Sequence, residues 1–84
     1  MRDYEQLVTN IITPLVKNPA SLLVRKTVED KKIIINIFGE SEDIAVLIGR
    51  RGVIANALRE VASVAGKLDE EHVYLKFESF SDNK

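Results

Sequence analysis

Gly49-Arg50-Arg51-Gly52 brings together residue types suited to holding an anion. Two glycines spaced three apart let the backbone turn tightly and come close to another molecule. The two arginines between them put two permanent positive charges on that turn, each a planar fork of N–H donors that matches a phosphate. Residues 53 to 65 read as a helix, so the turn also lies at a helix N-terminus, where free N–H groups and the positive end of the helix dipole point outward. This combination suits a phosphate.

No second constellation in the chain offers comparable chemistry. His72 is the only histidine and has no cysteine or second histidine with which to build a metal site. Glu42 and Asp43 read as charges at a helix start, and Asp69, Glu70 and Glu71 as solvated loop charges. Nothing pairs any of them with a base, a nucleophile or a metal. Ser41 and Ser63 have no identifiable activating partner. The expectation is therefore binding without catalysis, and without a cofactor or metal.

The turn needs flanking elements to hold it. Ser41 is a good N-cap, Glu42 and Asp43 favour a first helical turn, and Ile44, Leu47 and Ile48 form an apolar stripe that Gly49 ends. After the turn, Ile54, Leu58, Val61 and Ala65 form a second stripe with Ala57 and Val64 beside it, and Gly66 is expected to end that helix. Upstream, Tyr4, Leu7, Val8, Ile11, Ile12, Leu15 and Val16 recur at helical spacing. Asp3 with Gln6 three residues later resembles a capping box, Pro14 should kink or restart this helix, and Asn18-Pro19 ends it. Leu22 to Glu29 and Lys32 to Phe38 read as strands joined by a short polar turn, an antiparallel hairpin with Ile33, Ile35 and Ile37 on one face. Lys67 to Glu71 is a polar connection to a last strand in which Val73, Leu75 and Phe77 alternate with His72, Tyr74, Lys76 and Glu78. Tyr74 is expected on the outer sheet face. Residues 81–84 should fray.

The bulk properties narrow the function classes. A chain of 84 residues makes one small domain, with its core within about residues 4–78, and buries only about 60–65% of the surface its unfolded form exposes. There is no cysteine, hence no disulfide, which fits a reducing cytoplasm. No apolar run approaches the ~20 residues of a membrane span, and the N-terminal residues lack the layout of a secretory signal; a soluble, cytoplasmic protein with no membrane insertion is expected. Twelve Lys and Arg face thirteen Asp and Glu, for a net charge of −1. Non-specific duplex binding through a broad basic face is thereby disfavoured, and anion affinity must come from local placement.

The helix–strand–strand–helix–turn–helix–strand order, with the run Val46-Leu47-Ile48-Gly49-Arg50-Arg51-Gly52-Val53-Ile54, resembles a KH domain of the prokaryotic (type II) form, and more narrowly the small bacterial KH proteins of the KhpA family. The stretch Ile48 to Arg59, IGRRGVIANALR, is the most specific part of the likeness, and LVTNIITPLVKNP adds to it. The resemblance implies an α+β fold, αββααβ, with a three-stranded sheet and the helices packed on one face. It implies that single-stranded RNA lies in a groove between the helix–turn–helix at 42–65 and the edge strand near His72 to Glu78, with the G-x-x-G loop clamping the backbone of about four nucleotides. By position, Gly49 and Gly52 permit close approach, Arg50 and Arg51 face phosphates, Ile48, Val53 and Ile54 supply apolar surface near the bases, and Asn56 contacts RNA one turn into the helix. Related sequences often carry basic residues just after the loop, where this chain has Val53 and Asn56; two arginines inside the loop offer compensating charge.

The resemblance further implies self-association, pairing with a larger KhpB-type RNA-binding protein, and a role as an RNA chaperone or regulator linked to cell-envelope growth and division. Exposed small or apolar positions such as Val53 and Ala57 are candidates for such pairing. A lone G-x-x-G is weak by itself, since four glycines in 84 residues produce such a pair by chance in about one chain in five. The bland alternative is a tight turn between helices bearing two solvated arginines. The flanking apolar helices and the order of elements favour RNA binding over it.

Overall fold

A computed structural model describes residues 2–80. Helix α1 (Tyr4–Ile12) is followed by 3-10 turns at Thr13–Leu15 and Pro19–Ser21, strands β1 (Leu23–Glu29) and β2 (Lys32–Gly39), helix α2 (Ser41–Ile48), a 3-10 turn at Arg50–Gly52, helix α3 (Val53–Leu68) and strand β3 (His72–Ser79). The fold is α+β, with a three-stranded sheet in the order β1-β2-β3. The frayed tail expected at 81–84 lies outside the described residues.

The hairpin forms as its alternation requires. β1 and β2 pair antiparallel from Leu23↔Phe38 to Glu29↔Lys32. Asp30 and Lys31 both have positive φ, 49° and 68°, the conformation that a two-residue loop of matching twist demands. Ile33, Ile35 and Ile37 are buried on one face of β2, each side chain contributing about 1.5–3 kcal/mol by leaving water. β3 pairs parallel to β2, from Lys32↔His72 to Gly39↔Ser79, and turns Val73 and Leu75 to the same face. A parallel neighbour needs a crossover, and α2, the turn and α3 are that crossover. All three helices bury their apolar sides against this one face of the sheet, in a cluster that includes Tyr4, Val8, Ile12, Ile44, Leu47, Leu58 and Ala62. Tyr74 points to the other face and is exposed, as expected.

Several local expectations change. Asp3 caps α1 by accepting from the Gln6 backbone N–H at 3.0 Å, but Gln6 reaches forward to Asn10 at 2.8 Å, so the capping box is half made. As expected, Pro14 restarts the chain as a 3-10 turn. Glu40 rather than Ser41 is the N-cap of α2; Ser41 Oγ lies 2.8 Å from Ser79 Oγ and ties the start of α2 to the end of β3. Gly66 does not end α3, which runs two residues further to Leu68. A Cβ on Gly66 would stand 2.8 Å from the Glu71 carbonyl oxygen; this glycine lets the helix lie against the chain that returns into β3. The left-handed residue that turns the chain is Glu70, at φ 60°. The buried side of α3 is also shifted, with Ala55, Leu58, Ala62 and Ala65 inside and Val61 and Val64 exposed. Apolar residues cover two of this helix's three faces, so periodicity alone mis-set the stripe, and packing against the sheet takes mostly the smaller side chains.

Two carboxylates read as solvated or helix-start charges hold the layers together. Asp69, the C-cap of α3, accepts from the Tyr4 hydroxyl at 2.6 Å and pairs with Arg2 Nε at 2.9 Å. Asp43 is 1% exposed and accepts from the backbone N–H groups of Lys17 and Asn18 at 3.1 and 3.3 Å and from Asn18 Nδ2 at 3.0 Å. It fastens the α1–β1 connection to α2.

Burial, reinforced by the bond to Asp69, pushes the Tyr4 phenol up from 10.0 to about 12. A raised folded-state value means that its stabilising effect is fully present below about pH 10 and is lost as pH rises through about 12. Tyr4→Phe, which deletes a hydrogen bond to a charged group, should cost about 1–2 kcal/mol at neutral pH. Denaturant melts at stepped pH check this: the gap between wild type and variant should close between about pH 10 and 12.

Candidate nucleic-acid interface

The turn at 49–52 is built from three departures from right-handed backbone, at Gly49, Arg51 and Gly52. Gly49 has φ 77° and ψ 178°, Arg51 has φ 57° and ψ 24°, and Gly52 has φ 75° and ψ 17°. The Gly49 N–H donates to the Ala45 carbonyl at 2.9 Å and closes α2, while the Gly52 N–H donates to the Gly49 carbonyl at 3.2 Å. The two glycines serve different ends. A Cβ on Gly49 would meet Ile54 Cγ1 at 2.8 Å, whereas a Cβ on Gly52 would meet nothing within 4 Å. Gly49 is needed for packing inside the chain, and Gly52 leaves bare backbone facing open space.

Arg50 and Arg51 are both exposed, and no carboxylate among the described residues lies within ion-pairing distance of either. Gly52, at the head of α3, provides no side-chain cap, and the first turn of α3 contains no acidic residue. The positive end of this helix dipole is therefore uncompensated where the two guanidinium groups stand. From Gly49 to Lys67 the chain has four cations, Arg50, Arg51, Arg59 and Lys67, against one carboxylate, Glu60. A chain of net charge −1 thus concentrates positive charge along one helix–turn unit.

Helical geometry, 3.6 residues per turn, divides α3 into three faces. One is the buried face described above. The second carries Asn56, Arg59, Ser63 and Lys67 in line with Gly52. It borders β3: Arg59 Cζ lies 5.3 Å from the centre of the Phe77 ring, and Ser63 and Lys67 line a cleft with Glu70, Glu71, His72 and Tyr74. β3 is an edge strand, so this polar stripe and the strand face each other across a groove. The third face is apolar and exposed, with Val53, Ala57, Val61, Val64 and Leu68.

The residues singled out from sequence fall on these parts. Gly49, Arg50, Arg51 and Gly52 form the turn. Ile48 is exposed at the end of α2, beside it. Asn56 lies on the groove stripe, where its Oδ1 accepts from Arg59 Nη1 at 3.2 Å. Val53 heads the third, apolar face, and Ile54 packs against the core beneath Gly49. Sequence reasoning passed over Arg59 and Phe77. The signal available was the three-residue spacing of Asn56 and Arg59, which places both on one helix face; nothing in the sequence aligned Phe77 with them. Among the described residues, no group of His, Cys, Asp and Glu could hold a metal ion, and no helix is long and apolar enough to cross a membrane.

An αββααβ chain with a G-x-x-G turn between two helices, laid on a sheet whose last strand runs parallel to the central one, is a KH domain. The chain belongs to the KhpA/KhpB KH-domain family, whose family model matches residues 5–77. It is 33% identical over 76 residues to the RNA-binding protein KhpA of Bacillus subtilis, covering 90% of this chain and 91% of that one. It is 29% identical over 69 residues to the RNA-binding protein KhpA of Oceanobacillus iheyensis, covering 82% and 92%. The relatives' name describes binding rather than a reaction. Among solved structures, the fold superposes on Era in complex with MgGDPNP and nucleotides 1506–1542 of 16S ribosomal RNA, with a TM-score of 0.58, 17% identity and 89% of this chain covered. It also superposes on Era from Aquifex aeolicus bound to GDP and aluminium fluoride, with a TM-score of 0.55, 17% identity and 98% covered. The chain spans 29% and 33% of those two chains, and the likeness is one of fold.

Gly49→Ala should destabilise the domain by about 2–3 kcal/mol, because left-handed strain of about 1–2 kcal/mol adds to a clash with Ile54. Gly52→Ala should cost only the strain, about 1–2 kcal/mol. Chemical denaturation of the two variants side by side measures the difference.

Proposed function

We propose that this protein binds single-stranded RNA by capturing its phosphate backbone on the Gly49–Gly52 turn, in the groove between α3 and β3. The observation that supports this most is the pair of exposed arginines, with no ion-pair partner among the described residues, on a left-handed turn at an acid-free helix N-terminus. Phosphate oxygens find there two guanidinium forks and the positive end of a helix dipole at once. Gly52 contributes by having no side chain, so a sugar–phosphate strand can lie against the backbone. Ile48 and Val53 flank the turn with apolar surface for the bases, and Asn56 offers hydrogen bonds one helical turn on. The curated relatives bear the name of RNA-binding proteins, which agrees with this reading. On it the protein acts in the cytoplasm as an RNA chaperone or post-transcriptional regulator; the link to cell-envelope growth and division rests on the family resemblance alone.

Arg50→Asp with Arg51→Asp should abolish or greatly weaken binding of a short mixed-sequence single-stranded RNA without unfolding the protein. If each arginine neutralises one phosphate, the salt dependence of log affinity should also flatten by about 1.4, roughly 0.7 per contact. Fluorescence anisotropy at stepped salt, with circular dichroism to confirm folding, reads both. A folded variant that binds as tightly as wild type would sink the clamp.

A second reading is favoured by the third face of α3. Val53, Ala57, Val61, Val64 and Leu68 make an apolar stripe about 22 Å long, with Val61 47% and Val64 52% exposed. Such a stripe is self-complementary when a second copy packs across it about a two-fold axis. Because the part of it from Ala57 to Leu68 lies away from the groove stripe, pairing through that part would leave Val53 and both loops open and give two linked RNA sites. A KhpB-type partner is the alternative occupant. Val61→Glu puts a charge at the centre of this stripe and should convert a dimer to a monomer in sedimentation velocity. A wild-type chain that stays monomeric throughout would remove the homodimer and leave the heterologous partner.

A further inference from the structure

The groove contains one cation with unusual surroundings. Arg59 is exposed, yet its guanidinium is fixed from two sides. Its carbon lies 5.3 Å from the centre of the half-buried Phe77 ring, and its Nη1 donates to Asn56 Oδ1 at 3.2 Å. No carboxylate among the described residues pairs with it. A long side chain that is free to wave in solvent gains little from being drawn in one pose, whereas an aromatic face and an amide oxygen together hold this one. Arginine has only donors, so its bond to Asn56 must use the amide oxygen, which leaves the two Nδ2 hydrogens of Asn56 directed elsewhere. The result is a planar cation backed by an aromatic ring, with an amide donor at its border.

We propose that Phe77 and Arg59 form a stacking platform for one RNA base, with Asn56 Nδ2 donating to an acceptor on that base's edge. This deepens, and rests on, the RNA-binding reading above: the loop would hold the backbone and the platform would hold a base. The position fits. Arg59 is seven residues beyond Gly52, about 10 Å along the helix axis, within the span of about four nucleotides that a G-x-x-G groove accommodates. Unstacked bases in RNA are commonly received by aromatic rings or by guanidinium planes, and here one backs the other. The platform also gives the groove something the loop lacks, because phosphate contacts fix register without reading sequence.

The test is an abasic scan. A short mixed-sequence single-stranded RNA, and forms of it with one base removed at each position in turn, are titrated against wild type, Arg59→Gln, Phe77→Leu and the Arg50→Asp/Arg51→Asp variant, each checked for folding. Wild type should lose about tenfold in affinity when one particular base is removed, within what a single base stacked on a side chain contributes. Arg59→Gln and Phe77→Leu should show that loss already with intact RNA and should be indifferent to removal of the same base. If Arg59→Gln instead weakens intact and abasic RNAs by one common factor, Arg59 is a phosphate contact or a structural residue and the platform is overturned. A loop variant that binds as wild type, with the base-specific effect retained, would overturn the clamp and leave the platform standing. Folded wild type that binds none of these RNAs would overturn both.

Discussion

The space beneath Gly49 is already filled by Ile54, and the geometry of the helix–turn–helix unit depends on that contact. The chain must close α2, reverse, and open α3 within four residues. A side chain at position 49 would strike Ile54, and the backbone there sits in the left-handed region that only glycine occupies without cost. With Ile54 anchored to the core, the turn is pressed against the body of the protein from below. Its remaining residues, Arg50, Arg51 and Gly52, are displaced outward. The exposure of the two arginines is thus a consequence of packing on the other side of the loop.

The same helix that receives the turn divides the work of the protein. Its buried face is three alanines and Leu58, and Gly66 lets the helix lie against the chain entering β3. A narrow buried face leaves two others free. One collects the cations and amides along the edge strand. The other collects exposed valines and a leucine. Local placement explains how a chain with a slight excess of acids can present a basic turn and helix: Glu60 is the single carboxylate from Gly49 to Lys67. Several acids elsewhere have structural tasks, Asp43 on the α1–β1 connection and Asp69 on Tyr4 and Arg2.

Much of this could be read along the chain. The hairpin, the restart at Pro14, the cap at Gly49 and the alternation of β3 depend on neighbours within a few residues, and local stereochemistry reports them. The loop was legible for the same reason, since two glycines, two arginines and a following helix are contiguous. Other features could not be read this way. Asp43 at a helix start looks like any first-turn acid until the Lys17 and Asn18 amides arrive from 26 and 25 residues away. Asp69 looks solvated until Tyr4 reaches it across 65 residues. Val61 and Ala62 both fit an apolar stripe, and only the distance between α3 and the sheet selects the alanine.

By itself, then, the sequence determined which segments are helix or strand, the hairpin and the charged turn, and that the charged turn lies at a helix start. These follow from backbone preferences and side-chain periodicity, which act over a few residues. The tertiary structure decided that β3 runs parallel to β2, that Gly49 and Gly52 have different duties, and that Arg59 meets Phe77. Each of these is set by which surfaces face one another after the crossover closes, and no local preference encodes a contact made between an edge strand and a helix eighteen residues before it in the chain.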